Sequence, residues 1–140
     1  AAKGGSSLAR YYMGRHYDRG LGVGLDYHEA AKHFQFAAEK GVPRAQRRLG
    51  QYLLAGIAVD QDPEKGLHWL EQAAKGGDAT AQYEVAKRYN LGNGVEKDLG
   101  KARKHYLSAA LGGNAKAQHD LAIFHIKGLA GDVNLKEGRI

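Results

Sequence analysis

The chain has 140 residues, 43% of them apolar and 26% charged, a balance that fits one folded domain. It has no cysteine, which excludes disulfides, zinc–thiolate centres and cysteine nucleophiles together, and no apolar run approaches the ~18 residues that cross a bilayer. The net charge of +6 is spread evenly, +1 over 6–41, +1 over 42–77, +2 over 78–113 and +1 over 114–140, with Lys3 supplying the last, which argues for a solubilising surface over a clustered nucleic-acid interface.

The opening residues, Ala1-Ala2-Lys3-Gly4-Gly5, carry no initiating Met, basic n-region or apolar h-region, so they are not expected to be a signal peptide. A period of 36 residues then organises the chain. Shifted by that amount, Ala81 falls on Ala45 and Ala117, Gly92 on Gly56 and Gly128, and Ala109-Ala110 on Ala73-Ala74. A fixed period of roughly 20–50 residues marks a stacked array. Residues 1–5 match the closing turn of a preceding copy, 6–41, 42–77 and 78–113 are full copies, and 114–140 is a truncated one. The expectation is a single repeat domain cut from a longer protein.

Each copy is punctuated twice. Gly5, Gly41, Gly77 and Gly113 separate the copies, followed by Ser6, Asp78 or Asn114 as helix N-caps, or by Pro43 at a first-turn position. The first helix of a copy then runs to Gly20, Gly56, Gly92 or Gly128, glycine being the residue that ends a helix in the left-handed conformation at least cost. A short loop follows, whose Val23, Val59 or Val95 is expected to plug the bend; the fourth copy has Gly131 there, so its loop should be looser. Asp26, Asp62, Asp98 and Asn134 cap the second helix, with capping-box spacing at Asp26/Glu29 and Asn134/Glu137 and Pro63 in the first turn.

Small residues set the packing. One slot of the first helix is Ala9, Ala45, Ala81 and Ala117; another is Gly14, Gly50, Ala86 and Ala122. Gly66 and Gly138 interrupt the second helix where other copies have Ala30 and Ala102, which points to a close helix–helix approach. Larger slots fill the space between pairs: Met13/Leu49/Val85/Leu121, Tyr17/Leu53/Tyr89/His125 and Phe34/Leu70/Tyr106. A lone pair cannot bury such faces, so pairs must stack, and both cut ends should expose apolar surface.

Ala45-Gln46, Leu49-Gly50, Gly56, Val59, Asp62, Lys65, Trp69, Ala73-Ala74 and Gly77, repeated as Ala81-Gln82 through Gly113, resemble the Sel1-like repeat, a relative of the tetratricopeptide repeat. The resemblance covers nearly the whole chain. It implies an all-α fold, a right-handed superhelical α-solenoid of antiparallel helix pairs, serving as an adaptor or scaffold for proteins. The family's cysteine-rich secreted branch is set aside by the lack of Cys.

In repeats of this type the first helix lines the concave surface, so its non-packing slots are the candidate partner-binding residues: Tyr11, Arg47, Tyr83 and His119 in one row, and Arg15, Gln51, Lys87 and Ile123 one turn on, with Arg48 and Glu84 beside them. The next row holds Asp18, Leu54, Asn90 and Ile126. Alternating aromatic and basic groups suit an acidic, partly apolar peptide or helix. A nucleic-acid or polyanion binder is the alternative, resting on the net charge alone. A hydrolase is a remote third, because Ser6, Ser7 and Ser108 stand in no nucleophile motif and Gly92-Asn93-Gly94 belongs to a repeated helix stop. His33 and His105 share the packing slot of Trp69, so no metal and no cofactor is expected. Exposed ends raise a further expectation, association between copies of the chain.

Overall fold

The computed structural model describes residues 2–20 and 24–132, with side chains described for 6–20 and 24–127. Among the described residues seven helices follow one another: α1 (Ala2–Arg19), α2 (Tyr27–Glu39), α3 (Pro43–Ala55), α4 (Pro63–Lys75), α5 (Ala79–Leu91), α6 (Leu99–Leu111) and α7 (Ala115–Asp132). Each packs against its neighbours in sequence, most closely within the pairs α1/α2, α3/α4 and α5/α6. The first helices of successive pairs stand further apart and meet mainly through long side chains. This is an α-solenoid of antiparallel helix pairs.

One turn joins every pair to the next. Gly41, Gly77 and Gly113 have φ of +88°, +96° and +91°, a region that glycine enters without a Cβ clash. From there the N–H groups of Val42, Asp78 and Asn114 donate back to the carbonyls of Ala37, Ala73 and Ala109 at 3.1, 3.0 and 3.0 Å, closing a Schellman turn. The residue that closes one helix also begins the next. Asp78 and Asn114 accept from the N–H groups of Ala81 and Ala117, both at 2.8 Å. Val42 has no capping side chain and is followed by Pro43 at the start of α3. Asp26, Asp62 and Asp98 cap α2, α4 and α6 as the sequence leads one to expect.

The outermost helices break the expected punctuation. α1 passes through Gly4, Gly5 and Ser6, and α7 passes through Gly128 and Gly131 to Asp132. A glycine ends a helix only where its left-handed turn is repaid in capping bonds. Gly41, Gly77 and Gly113 each close a helix that precedes them, whereas Gly4 and Gly5 lie inside α1. The turns at Gly56 and Gly92 lead into loops whose Val59 and Val95 pack on the core. Gly131 offers no such anchor, and the helix continues. The expectations for Val23, the Asn134/Glu137 cap and Gly138 lie outside the described residues.

The small-residue slots close the core except at Ala9 and Ala122, which are exposed on the outermost helices. Ala45, Ala81 and Ala117 are fully buried, as are Ala37, Ala73 and Ala109 in the second helices, around Phe34, Leu70 and Val85. α3 and α4 approach most tightly at two glycines. A Cβ on Gly50 would lie 2.8 Å from the Gly66 carbonyl oxygen, and one on Gly66 would lie 2.7 Å from Leu54 Cγ. His33 stacks on Tyr17 at 5.6 Å and His105 on Tyr89 at 5.9 Å, so both histidines do the packing that their repeat position implies. Burial fades at the ends: Met13 is 44% exposed where Leu49 and Val85 are buried, and Ile126 is 68% exposed.

Candidate functional site

The rows of α1, α3, α5 and α7 come together as a face, and its side chains bridge neighbouring helices. Between α1 and α3, Tyr52 donates its hydroxyl to Asp18 Oδ2 at 3.2 Å, while Arg15 donates to both Asp18 oxygens at 3.1 and 3.3 Å. Arg44 donates to the Tyr12 hydroxyl at 2.8 Å. Between α3 and α5, Arg47 Nε meets Asp78 at 3.0 Å, and Gln51 donates to both oxygens of Glu84 at 3.2 and 3.0 Å. Between α5 and α7, Tyr83 donates to Asp120 at 2.8 Å. Every seam of the stack has such a bridge.

Burial shapes the charges on this face. Arg48 donates one bond, at 3.3 Å to the Gln51 amide oxygen, and its buried Nε has no partner among the described residues. Desolvation first, then the Arg15 guanidinium, draws the Arg48 pKa below the usual arginine value, with Asp18 opposing; it stays protonated all the same. Desolvation raises the Glu84 pKa against the pull of the Gln51 bond and of Arg47 and Arg88. The Tyr83 phenol is pushed up to about 12 by desolvation and then by its bond to Asp120. Burial and the Asp18 charge also raise Tyr52.

The structure sorts the sequence-based candidates. Tyr11 is a correction: at 5% exposure it is a core residue, its ring 5.8 Å from Phe34 and 5.1 Å from Tyr12. In the first copy the slot turns inward onto Phe34, whereas its counterpart Arg47 turns to the acidic cap of the next copy. Arg15, Arg47, Arg48, Gln51 and Tyr83 are half-buried members of the bridging network. Lys87 is exposed, its ammonium 5.5 Å from the Tyr83 ring centre. His119 and Ile123 are exposed on α7. Of the next row, Asp18 is bridged, Leu54 packs on the core, Asn90 donates to the Tyr106 hydroxyl at 3.4 Å and Ile126 faces solvent. A cleft of about 230 Å³ lies among Glu84, Lys87, Arg88, Leu91 and Asn93.

Some members escape a reading of the sequence. Asp78 reads as a cap, and it is one, but the same Oδ1 also receives Arg47 from the previous copy. Tyr12, Arg44, Tyr52 and Asp120 complete bridges across 32 to 37 residues. The glutamines of the signature are clearer. Gln46, Gln82 and Gln118 each donate to the carbonyl eight residues earlier, on Ala38, Ala74 and Ala110, at 3.3, 3.1 and 3.1 Å. Their recurrence in three copies was the available signal. In the first copy Arg10 takes the slot, donating to His33 Nδ1 at 2.8 Å and lying over the Phe36 ring. Among the described residues no three His, Asp or Glu side chains are placed to hold a metal ion, and no helix is long and apolar enough to cross a membrane.

Comparison with known proteins agrees with this construction. The Sel1 repeat family profile matches residues 7–42, 43–78, 79–114 and 115–140, one residue out of step with the units drawn from the sequence. None of the curated proteins matches the chain by sequence. Among solved structures, a Sel1 repeat protein from Oxalobacter formigenes is 38% identical with a TM-score of 0.76, the match covering 86% of this chain and 91% of that one. The protein c5321, a protective antigen of uropathogenic Escherichia coli strains with an SLR fold, is 34% identical with a TM-score of 0.81 over 91% of this chain. The chain spans 27% of that antigen's length. With its repeat profile, its helix pairs and its inter-repeat glutamines all in one register, the chain belongs to the Sel1 repeat family.

Proposed function

We propose that the chain is a non-enzymatic scaffold that binds a protein partner, as a peptide or a helix, across the face formed by α1, α3, α5 and α7. Sel1 repeats are in general protein–protein interaction modules. The observation that carries the reading is the spacing of those four helices. Their backbones stand apart, so Arg, Tyr, Gln and acidic side chains from four copies lie beside one another in a surface rather than inside a core. Arginine and tyrosine concentrate binding energy where they are already held in place, and the bridges do hold them. Lys87, His119 and Ile123 extend the face as exposed groups.

Charge reversal tests it. Arg15→Glu, Arg47→Glu and Lys87→Glu together should weaken the partner, while Lys32→Glu and Lys104→Glu on the second helices should not. Unchanged affinity in the first set contradicts the reading.

A second reading concerns self-association. Leu8 and Met13 are 40% and 44% exposed on α1, and a matching apolar end of another copy would cover them. Light scattering at rising concentration should then show mass growth that Met13→Glu abolishes. A strictly monomeric mass at high concentration contradicts it.

A further inference from the structure

Charge is not shared evenly along the face. On the α3–α5 seam Arg47 and Arg88 act on Asp78 and Glu84, two cations against two anions. On the α1–α3 seam Asp18 is the one carboxylate, among the described residues, that is bonded to Arg15 or acts on the Arg48 charge, and Arg15 already takes both of its oxygens. Arg44 and Arg48 are left with neutral acceptors, the Tyr12 hydroxyl and the Gln51 amide.

That arrangement is unfavourable by itself. The Arg15 and Arg47 guanidiniums both act on Arg48, with Asp18 the one carboxylate opposing them, and like charges brought together repel. α3 has no acidic residue anywhere between Pro43 and Ala55 to offset them. Apolar surface lies alongside: Tyr12, 44% exposed, takes the Arg44 bond, and Leu8, 40% exposed, lies one turn before it on α1.

We infer that the α1–α3 seam is the anchor point for an acidic segment of a partner protein, which sets a carboxylate against Arg44 and Arg48 and an adjacent apolar side chain against Leu8 and Tyr12. This rests on the reading of the first-helix face as a binding surface, and sharpens it to one seam and one chemical group. Arginine's planar fork suits a carboxylate oxygen pair. Exchange of a hydroxyl and an amide for a carboxylate gives both guanidiniums a charged acceptor without breaking the Arg15–Asp18 pair.

The test uses a displayed library of random 16-residue peptides selected on the intact chain. Selected peptides should be rich in Asp or Glu next to apolar residues. Their affinity should fall at least about tenfold, the scale of a charge-assisted bond, in Arg48→Gln and Arg44→Gln, and stay within about twofold in Lys104→Gln on α6. Replacing the peptide's acidic residues by their amides should cost affinity on the parent chain and little on Arg48→Gln. Arg44 is exposed, so its variant keeps the test valid if Arg48→Gln unfolds.

Selected peptides without an acidic excess, or binding unchanged in both variants, overturn the anchor. If Lys87 and His119 variants weaken binding while Arg44 and Arg48 variants do not, the anchor fails and the face stands. If no first-helix variant matters, both fail. Displacement of the peptides by a single-stranded oligonucleotide with steep salt dependence also overturns it, in favour of a polyanion.

Discussion

Gln51 crosses from α3 to α5 and gives its amide to both oxygens of Glu84, at 3.2 and 3.0 Å, tying the second repeat to the third at the centre of the proposed binding face. The tie does not cancel the burial of the Glu84 carboxyl, whose pKa is raised by desolvation above the ordinary glutamate value. A raised acid pKa means that the folded chain binds the proton more tightly than the unfolded chain. Stability from this group is therefore fully present below the ordinary glutamate range and is lost as pH rises through the raised value. Glu84→Gln should remove that slope and be the more stable protein at neutral pH. Urea titrations of both proteins across the acidic-to-neutral range check it, and a parallel pH dependence would contradict it.

The glycine contact between α3 and α4 makes an overpacking prediction. Alanine is the better helix former by about 1 kcal/mol, yet a Cβ on Gly66 would lie 2.7 Å from Leu54 Cγ and 2.9 Å from the Gly50 carbonyl oxygen. Leu54 can turn away; the carbonyl cannot. Gly66→Ala should destabilise by about 1–3 kcal/mol, and Leu54→Ala should lower that cost without removing it. Denaturant midpoints for the two variants and their combination give the coupling.

The signature glutamines carry a graded prediction. Gln46 is buried and bonds the carbonyl of Ala38, itself 1% exposed, whereas Gln118 is exposed. Gln46→Ala removes one of two donors from a buried carbonyl, which keeps the Gly41 N–H at 2.9 Å, and should cost about 1–1.5 kcal/mol. Gln118→Ala should cost under about 1 kcal/mol, because water can replace it. Equal losses measured by chemical denaturation would show that the bond itself does not set the cost.

In the second loop Ala58 sits at φ +60°, where the third copy has Gly94 at +78°. An L residue pays about 1–2 kcal/mol there. Ala58→Gly should stabilise by about 1 kcal/mol. Gly94→Ala should destabilise by a similar amount, and for conformational reasons alone, since the nearest atom to its Cβ is Arg88 Nη1 at 3.6 Å. Thermal melts of the two variants should move in opposite directions.

What could be read from the sequence was local or repeated. Gly41, Gly77 and Gly113 stop helices, Asp26, Asp62 and Asp98 start them, and the alanine slots pack, because each depends on a few neighbouring residues and recurs every 36. Gly5 and Gly128 show the limit of that logic, since a stop needs the helix or loop that makes its turn worthwhile. The face was harder. Tyr11 and Arg47 hold one register position, yet Tyr11 turns into the core and Arg47 turns out to Asp78. Long side chains choose among partners more than 30 residues away, and no local pattern encodes that choice. The row was legible; its pairings were not.

The most direct measurement is site-specific photo-crosslinking to the bound protein partner. A crosslinking amino acid placed in turn at Lys87, His119 and Arg44 on the first helices, and at Lys32 and Lys104 on the second helices, should capture the partner from the first three positions alone. Crosslinks arising only from Lys32 and Lys104 would place the partner on the opposite side of the solenoid and contradict binding on the α1, α3, α5 and α7 face.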